Sequence, residues 1–168
     1  MNESEFFSSA LWVLVYLLLQ VFFFRSMILF DHAFCFVYIA STLSLPFDTP
    51  QTRVLFLAFV TGFFVDFFYN TLGLHAACTV FLAFIRPAIL RLLTPARGYE
   101  ERNEPTLAVM NLWWVIRYTF IAALIHHTLL FGLESLSLAL LIPTLLKIIT
   151  STVYSTFVMV TLQFFRGE

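Results

Sequence analysis

Charged and turn-forming residues cut this chain into apolar blocks, and most of the blocks have the length of a membrane-crossing helix. A helix rises about 1.5 Å per residue and needs about 20 residues to cross a bilayer. The first block, residues 6–24, is closed by Arg25. The second, 31–45, opens at Asp31 as a candidate N-cap and ends before Pro46. It is short for a span unless Met27–Phe30 also enter the membrane. The turn PFDTPQTR, with its two prolines, leads to a third block over 54–69. The tight turn NTLG precedes a fourth, 74–93, which carries Arg86, Pro87 and Arg91. The longest polar stretch, TPARGYEERNEPT over 94–106, separates it from a fifth block at 113–133. The short link GLESLS then leads to a sixth at 138–165. The pattern predicts one integral membrane domain over 1–168, an all-α polytopic transmembrane bundle of six spans, with five as the alternative because the second block is short.

Composition strengthens that reading. Of 168 residues, 61% are hydrophobic and 11% charged, and 22 are phenylalanine. Soluble domains carry roughly 45–50% apolar and about 25% charged residues. A net charge of −1 gives no footprint for nucleic acid. The start, MNESEFF, is acidic and no small-residue cleavage site follows the first apolar run, so that run is expected to remain as an anchor. Cys35 and Cys78 lie inside apolar stretches and read as small core residues, with a disulfide left open.

Loop charges set the expected orientation. With six spans, Arg53, Arg91, Arg97, Arg102 and Arg166 fall on one side and Arg25 on the other, which puts both termini in the cytoplasm. Trp113 and Trp114 then read as interfacial belt residues. The same topology places Asp66, His75, His126, His127, Glu134 and Lys147 in the outer half of the bundle. They are expected to form a polar cluster with Asp66 paired to Lys147 or a histidine; the alternative is a carboxylate held by the Asn70–Gly73 turn. Arg86 and Arg117 fall in the inner half, within snorkelling reach of the interface, and with Arg91 could present a basic patch to anionic headgroups or to a partner's acidic segment. Gly62 and Asp66, one helical turn apart, share a face that should be packed closely. Pro87 should kink the fourth block. The pairs Ser151/Ser155 and Thr152/Thr156 mark a helix contact on the last block.

No catalytic constellation stands out. The chain has no glycine-rich phosphate loop, nucleophile elbow or HExxH. A zinc site from Asp66, His75 and one of the adjacent pair His126 and His127 can be drawn, but neighbouring histidines diverge around a helix, and metal pairs want a spacing of four. No catalytic, cofactor or metal site is expected.

Four runs carry a resemblance: LPFDTP (45–50), GFFVDFFYNTLGLHAA (62–77), FIRPAILRLLTPARGYE (84–100) and IHHTLLFGLE (125–134). Together they resemble the rod shape-determining protein MreD family, in its Bacteroidota-like branch. The family's G-x-x-x-D segment, a small polar turn and G-L-H fall on Gly62, Asp66, Gly73, Leu74 and His75. The resemblance implies a non-enzymatic scaffold in the bacterial inner membrane, a partner of MreC working with MreB, RodA and an elongation transpeptidase in lateral peptidoglycan synthesis. It also implies a fold similar to the substrate-binding component of energy-coupling-factor transporters. A small-molecule-binding subunit of such a transporter is the rival function.

Overall fold

The longer apolar blocks form long helices in the computed structural model, which describes residues 3–100, 103–135 and 138–166. Glu101 and Arg102 of the charged loop, and Leu136 and Ser137 of the last link, lie outside the described residues. Helix α1 (Glu3–Leu19) continues through a wider π turn, Gln20–Phe24. A single 3₁₀ turn, Val37–Ile39, runs into the short α2 (Ala40–Leu43). Then come α3 (Gln51–Tyr69), α4 (Leu74–Leu92), α5 (Leu112–Ser135) and α6 (Leu141–Phe165). Among the described residues the only extended pairing is an isolated bridge between Leu29 and Ala33. Helices α3 to α6 are long and apolar enough to cross a membrane; the apolar part of the first helix, 11–24, is shorter.

The distribution of side chains fits a lipid solvent. Phe56, Phe63, Phe67, Ile142 and Phe157 point outward, whereas Gln20, Thr79, His126, His127 and Ser151 are buried. Water would reward the opposite arrangement; lipid demands that polar groups be satisfied inside. The chain is therefore an all-helical membrane protein.

Two residues set the α3–α4 hairpin. A Cβ on Gly62 would lie 2.5 Å from the Cα of Ala76, so the two backbones touch where only glycine leaves room. Asn70 ends α3 in the left-handed conformation (φ 56°), and its N–H and that of Thr71 both return to the Asp66 carbonyl. Gly73, also left-handed at φ 85°, then turns the chain directly into α4.

The second block departs from the expected helix. Asp31 is not an N-cap: it sits with Phe30 at the apex of a tight turn, both residues at positive φ (60° and 52°). The chain is irregular over 34–36 and helical only over Val37–Leu43, too short for a helical span. Yet every residue from Cys35 to Ser44 is buried. This strand of irregular chain threads the interior. At one end Gln20, which bonds its Cys35 carbonyl, also meets Tyr69 of α3. At the other, Phe47 stacks on Tyr99 at 4.3 Å and meets Trp114 edge-on. Non-helical backbone survives at membrane depth only where protein surrounds it and supplies its hydrogen bonds.

Trp114 corrects the belt reading. It is buried, and its indole N–H donates to the Leu93 carbonyl at 2.8 Å; only Trp113 is exposed. At the same end, Arg166 is ion-paired with Glu104 and covers the ring of Trp12, so the end of α6 lies against the middle of α1. Tyr99 donates to the Leu90 carbonyl at 2.8 Å, and burial pushes its phenol up.

Candidate functional site

The polar groups converge on the buried irregular segment. Its N–H groups are taken up by side chains from α6 and the π turn: Phe34 donates to Ser151 Oγ (2.9 Å), Phe36 to Ser155 Oγ (3.0 Å) and Tyr38 to Gln20 Oε1 (3.3 Å). The Gln20 amide also donates to the Cys35 carbonyl (3.0 Å) and to Tyr69 Oη (2.7 Å). Each link replaces a hydrogen bond that a helix would have made for itself. The serines of α6 thus hold the irregular segment, and Ser155 with Thr152 also faces His127 of α5, the helix contact expected of these positions.

Tyr38 is the hub. Its hydroxyl lies 3.1 Å from His75 Nδ1, 2.9 Å from His126 Nε2 and 3.2 Å from Thr79 Oγ1. The Thr79 hydroxyl is closer to the His75 carbonyl, at 2.6 Å, and commits its hydrogen there. One phenol hydrogen cannot serve two rings, so at least one ring must donate to the phenol oxygen. His126 Nδ1 is buried with no partner among the described residues. A bare acceptor is cheaper to leave unpaired than an N–H. The order His126 Nε2–H to Tyr38 O–H to His75 Nδ1 is therefore the favoured one. Such an array holds three groups in register.

Asp66 sits beside this array and is not ion-paired to Lys147 or a histidine ring. Its carboxylate accepts the N–H of His75 (2.9 Å) and of Ala76 (2.8 Å), and the hydroxyl of Thr71. Those amides occupy the second and third positions of α4, the two that an N-cap side chain normally serves. Gly73 has no side chain to cap with, so α3 lends Asp66. The negative charge also lies at the positive end of the α4 dipole. The turn-held alternative was the correct one, extended to the helix beyond the turn.

The other expected members separate. His127 turns about a quarter of the helix away from His126, as adjacent residues must, and its Nδ1 and Nε2 lie 3.3 Å from Thr152 Oγ1 and 3.4 Å from Ser155 Oγ. Lys147 lies 3.7 Å from Glu134 and over the rings of Phe34 and Phe131, forming its own half-buried pair. The basic patch does not assemble. Arg86 is 2% exposed and turns inward, donating to Tyr118 Oη (3.0 Å) and to the carbonyls of Leu45 and Pro46. Tyr118 in turn donates to the Leu43 carbonyl at 3.2 Å. Carbonyls freed where α2 ends thus solvate a buried cation. Arg117 stays on the surface, bonded to the Trp113 carbonyl of its own helix; Arg91 is likewise exposed.

Among the described residues no group of three histidine, cysteine or acidic side chains is placed to hold a metal. An apolar groove of about 460 Å³ lies elsewhere, lined by Phe81, Leu124, Thr128 and Gly132 among others. Sequence reasoning missed Gln20, Tyr38, Thr79 and Tyr118. For Gln20 a signal existed: it is the lone amide in a long apolar run. For the tyrosines none did, because a tyrosine in a membrane segment reads equally as an interfacial residue.

No family model, no curated protein and no solved structure matches this chain. Fold and site together define a class: a helical membrane protein whose interior polar groups bind one another around a buried irregular segment.

Proposed function

We propose that this chain is a non-enzymatic scaffold of the bacterial cell-elongation machinery, a protein of the MreD kind. On this reading it lies in the inner membrane with both termini in the cytoplasm. It binds MreC, and through it helps couple the MreB cytoskeleton to RodA and an elongation transpeptidase. The chain crosses six times, and the 33–46 segment makes the second crossing with only the short helical stretch Val37–Leu43.

One observation carries the reading. The residues behind the resemblance, Gly62, Asp66, Gly73 and His75, build a single tight hairpin whose polar groups are committed inward. Such a hairpin fixes shape and presents mostly apolar surface to its surroundings. A protein of this design acts by offering membrane-facing helices to partners. The transporter reading has less support, because the 460 Å³ groove is apolar and the convergent polar groups are bonded to each other rather than to a cavity.

Affinity purification in detergent tests the proposal. Recovery of MreC with the wild-type chain is expected. Asp66→Leu, which removes the cap of α4, should reduce it, while Asp66→Asn should retain most of it. Absence of MreC from the wild-type preparation would overturn the assignment.

A further inference from the structure

The turn that joins the first helix to the buried segment has a conformation its residues do not favour. Phe30 and Asp31 both have positive φ (52° and 60°), and His32 N–H closes the turn on the Leu29 carbonyl at 3.1 Å. A turn with two left-handed central residues calls for asparagine and glycine. Here its apex is a phenylalanine, 91% exposed. An aromatic ring at positive φ is a true outlier, and such outliers invite a functional explanation.

The surroundings say what the ring meets. Phe22, Phe23, Met27, Ile28 and Leu29 are also exposed, so the apex is continuous with the outward face of the first helix. Polar groups flank it: Arg25, with its guanidinium over the Tyr69 ring, and the exposed Asp31 and His32. The backbone is largely self-satisfied. The N–H groups of Arg25, Met27, Ile28, Leu29, His32 and Ala33 all find carbonyls within the segment 20–33. Little of this turn therefore needs water, while its side chains present an apolar front with a charged rim. That is the make-up of a segment lying at the boundary of headgroups and acyl chains.

We propose that residues 27–30 form a shallow lipid-seated turn, with the Phe30 ring inserted at that boundary on the end of the bundle where Tyr69 lies. The seat fixes the depth of the first helix, whose apolar part is shorter than the spans of α3 to α6. Its partner is the bilayer itself.

Spin labelling of the full chain in phosphatidylethanolamine and phosphatidylglycerol vesicles tests this. Cys35 and Cys78 are buried, and wild-type protein treated with the same label is the control for their reactivity. Nitroxides at Phe30→Cys and, separately, Met27→Cys should collide with oxygen in preference to a water-soluble nickel chelate, at a ratio several-fold above that at Arg97→Cys in the charged loop. A ratio at both sites equal to that at residue 97 would place the turn in water and overturn the proposal. Protection from both relaxing agents would do the same, by showing that protein covers the turn.

Discussion

Asp66 lives among phenylalanines because backbone hydrogens, not a cation, receive its charge. Two α4 amides and the Thr71 hydroxyl surround its oxygens. Charge, cap and turn are thus one feature, and its energetics follow from capping. Replacing an N-cap by alanine costs about 0.5–2 kcal/mol. Asp66→Ala should destabilise the protein by that order and lower its thermal midpoint in detergent, whereas Asp66→Asn keeps one acceptor oxygen but turns its NH2 toward one of the two α4 N–H groups, so it should lose one capping bond as well as the charge–dipole part of roughly 0.3–1 kcal/mol, yet stay above the alanine variant. Equal midpoints for wild type, alanine and asparagine variants would mean that the carboxylate does not cap α4. The asparagine variant also separates the two roles given to this residue. A fully stable Asp66→Asn protein that fails to recover MreC would point to direct contact rather than shape.

At the scale of elements, the segment over 33–46, buried from Cys35 to Ser44, is the part that depends on borrowed hydrogen bonds. Ser151 and Ser155, one turn apart on α6, receive the N–H groups of Phe34 and Phe36. Leaving a buried donor unsatisfied costs about 1–3 kcal/mol. The double substitution Ser151→Ala with Ser155→Ala should therefore destabilise by a few kcal/mol and speed amide exchange at residues 34–38. Thr128→Ala, an exposed hydroxyl bonded to its own helix, serves as the control and should change neither. Unchanged exchange in the double variant would show that the strand is held by packing alone. This element also marks the limit of what could be read beforehand. Helices α3 to α6 were legible because apolar length and turn residues act locally; their ends fall within a few residues of the expected positions. The second block was not, because its conformation is decided by serines more than a hundred residues away and by Gln20. For the site, the close approach at Gly62 followed from residue type, since only glycine permits it. The direction of Arg86 did not: a long cationic side chain snorkels or turns inward according to which carbonyls a neighbouring segment leaves free.

For the whole molecule, the strand decides how the ends of the bundle relate to the two sides of the membrane. Arg25 lies against Tyr69 at the end of α3 (Gln51–Tyr69), while Thr52 lies in the first turn of that helix, about 26 Å away along its axis. The 33–46 segment must carry the chain over that distance inside the protein. If it does so across the bilayer, exposed sites just before and just after it face opposite compartments. Ser26→Cys should then react with a membrane-impermeant maleimide in intact cells whose outer membrane has been opened. Thr52→Cys should react only after the inner membrane is disrupted. In the proposed orientation the arginine-rich Thr52 end faces the cytoplasm, which sets the expected order of the two reactions. Labelling of both sites from the outside, or of neither, would mean that the strand loops back within one leaflet. The chain would then lose a crossing, its termini would be divided between the compartments, and the proposed arrangement at the cytoplasmic face would fail with it. The measurement needs no partner and no assay of cell shape, so it reads the physical basis of the scaffold independently of its biology.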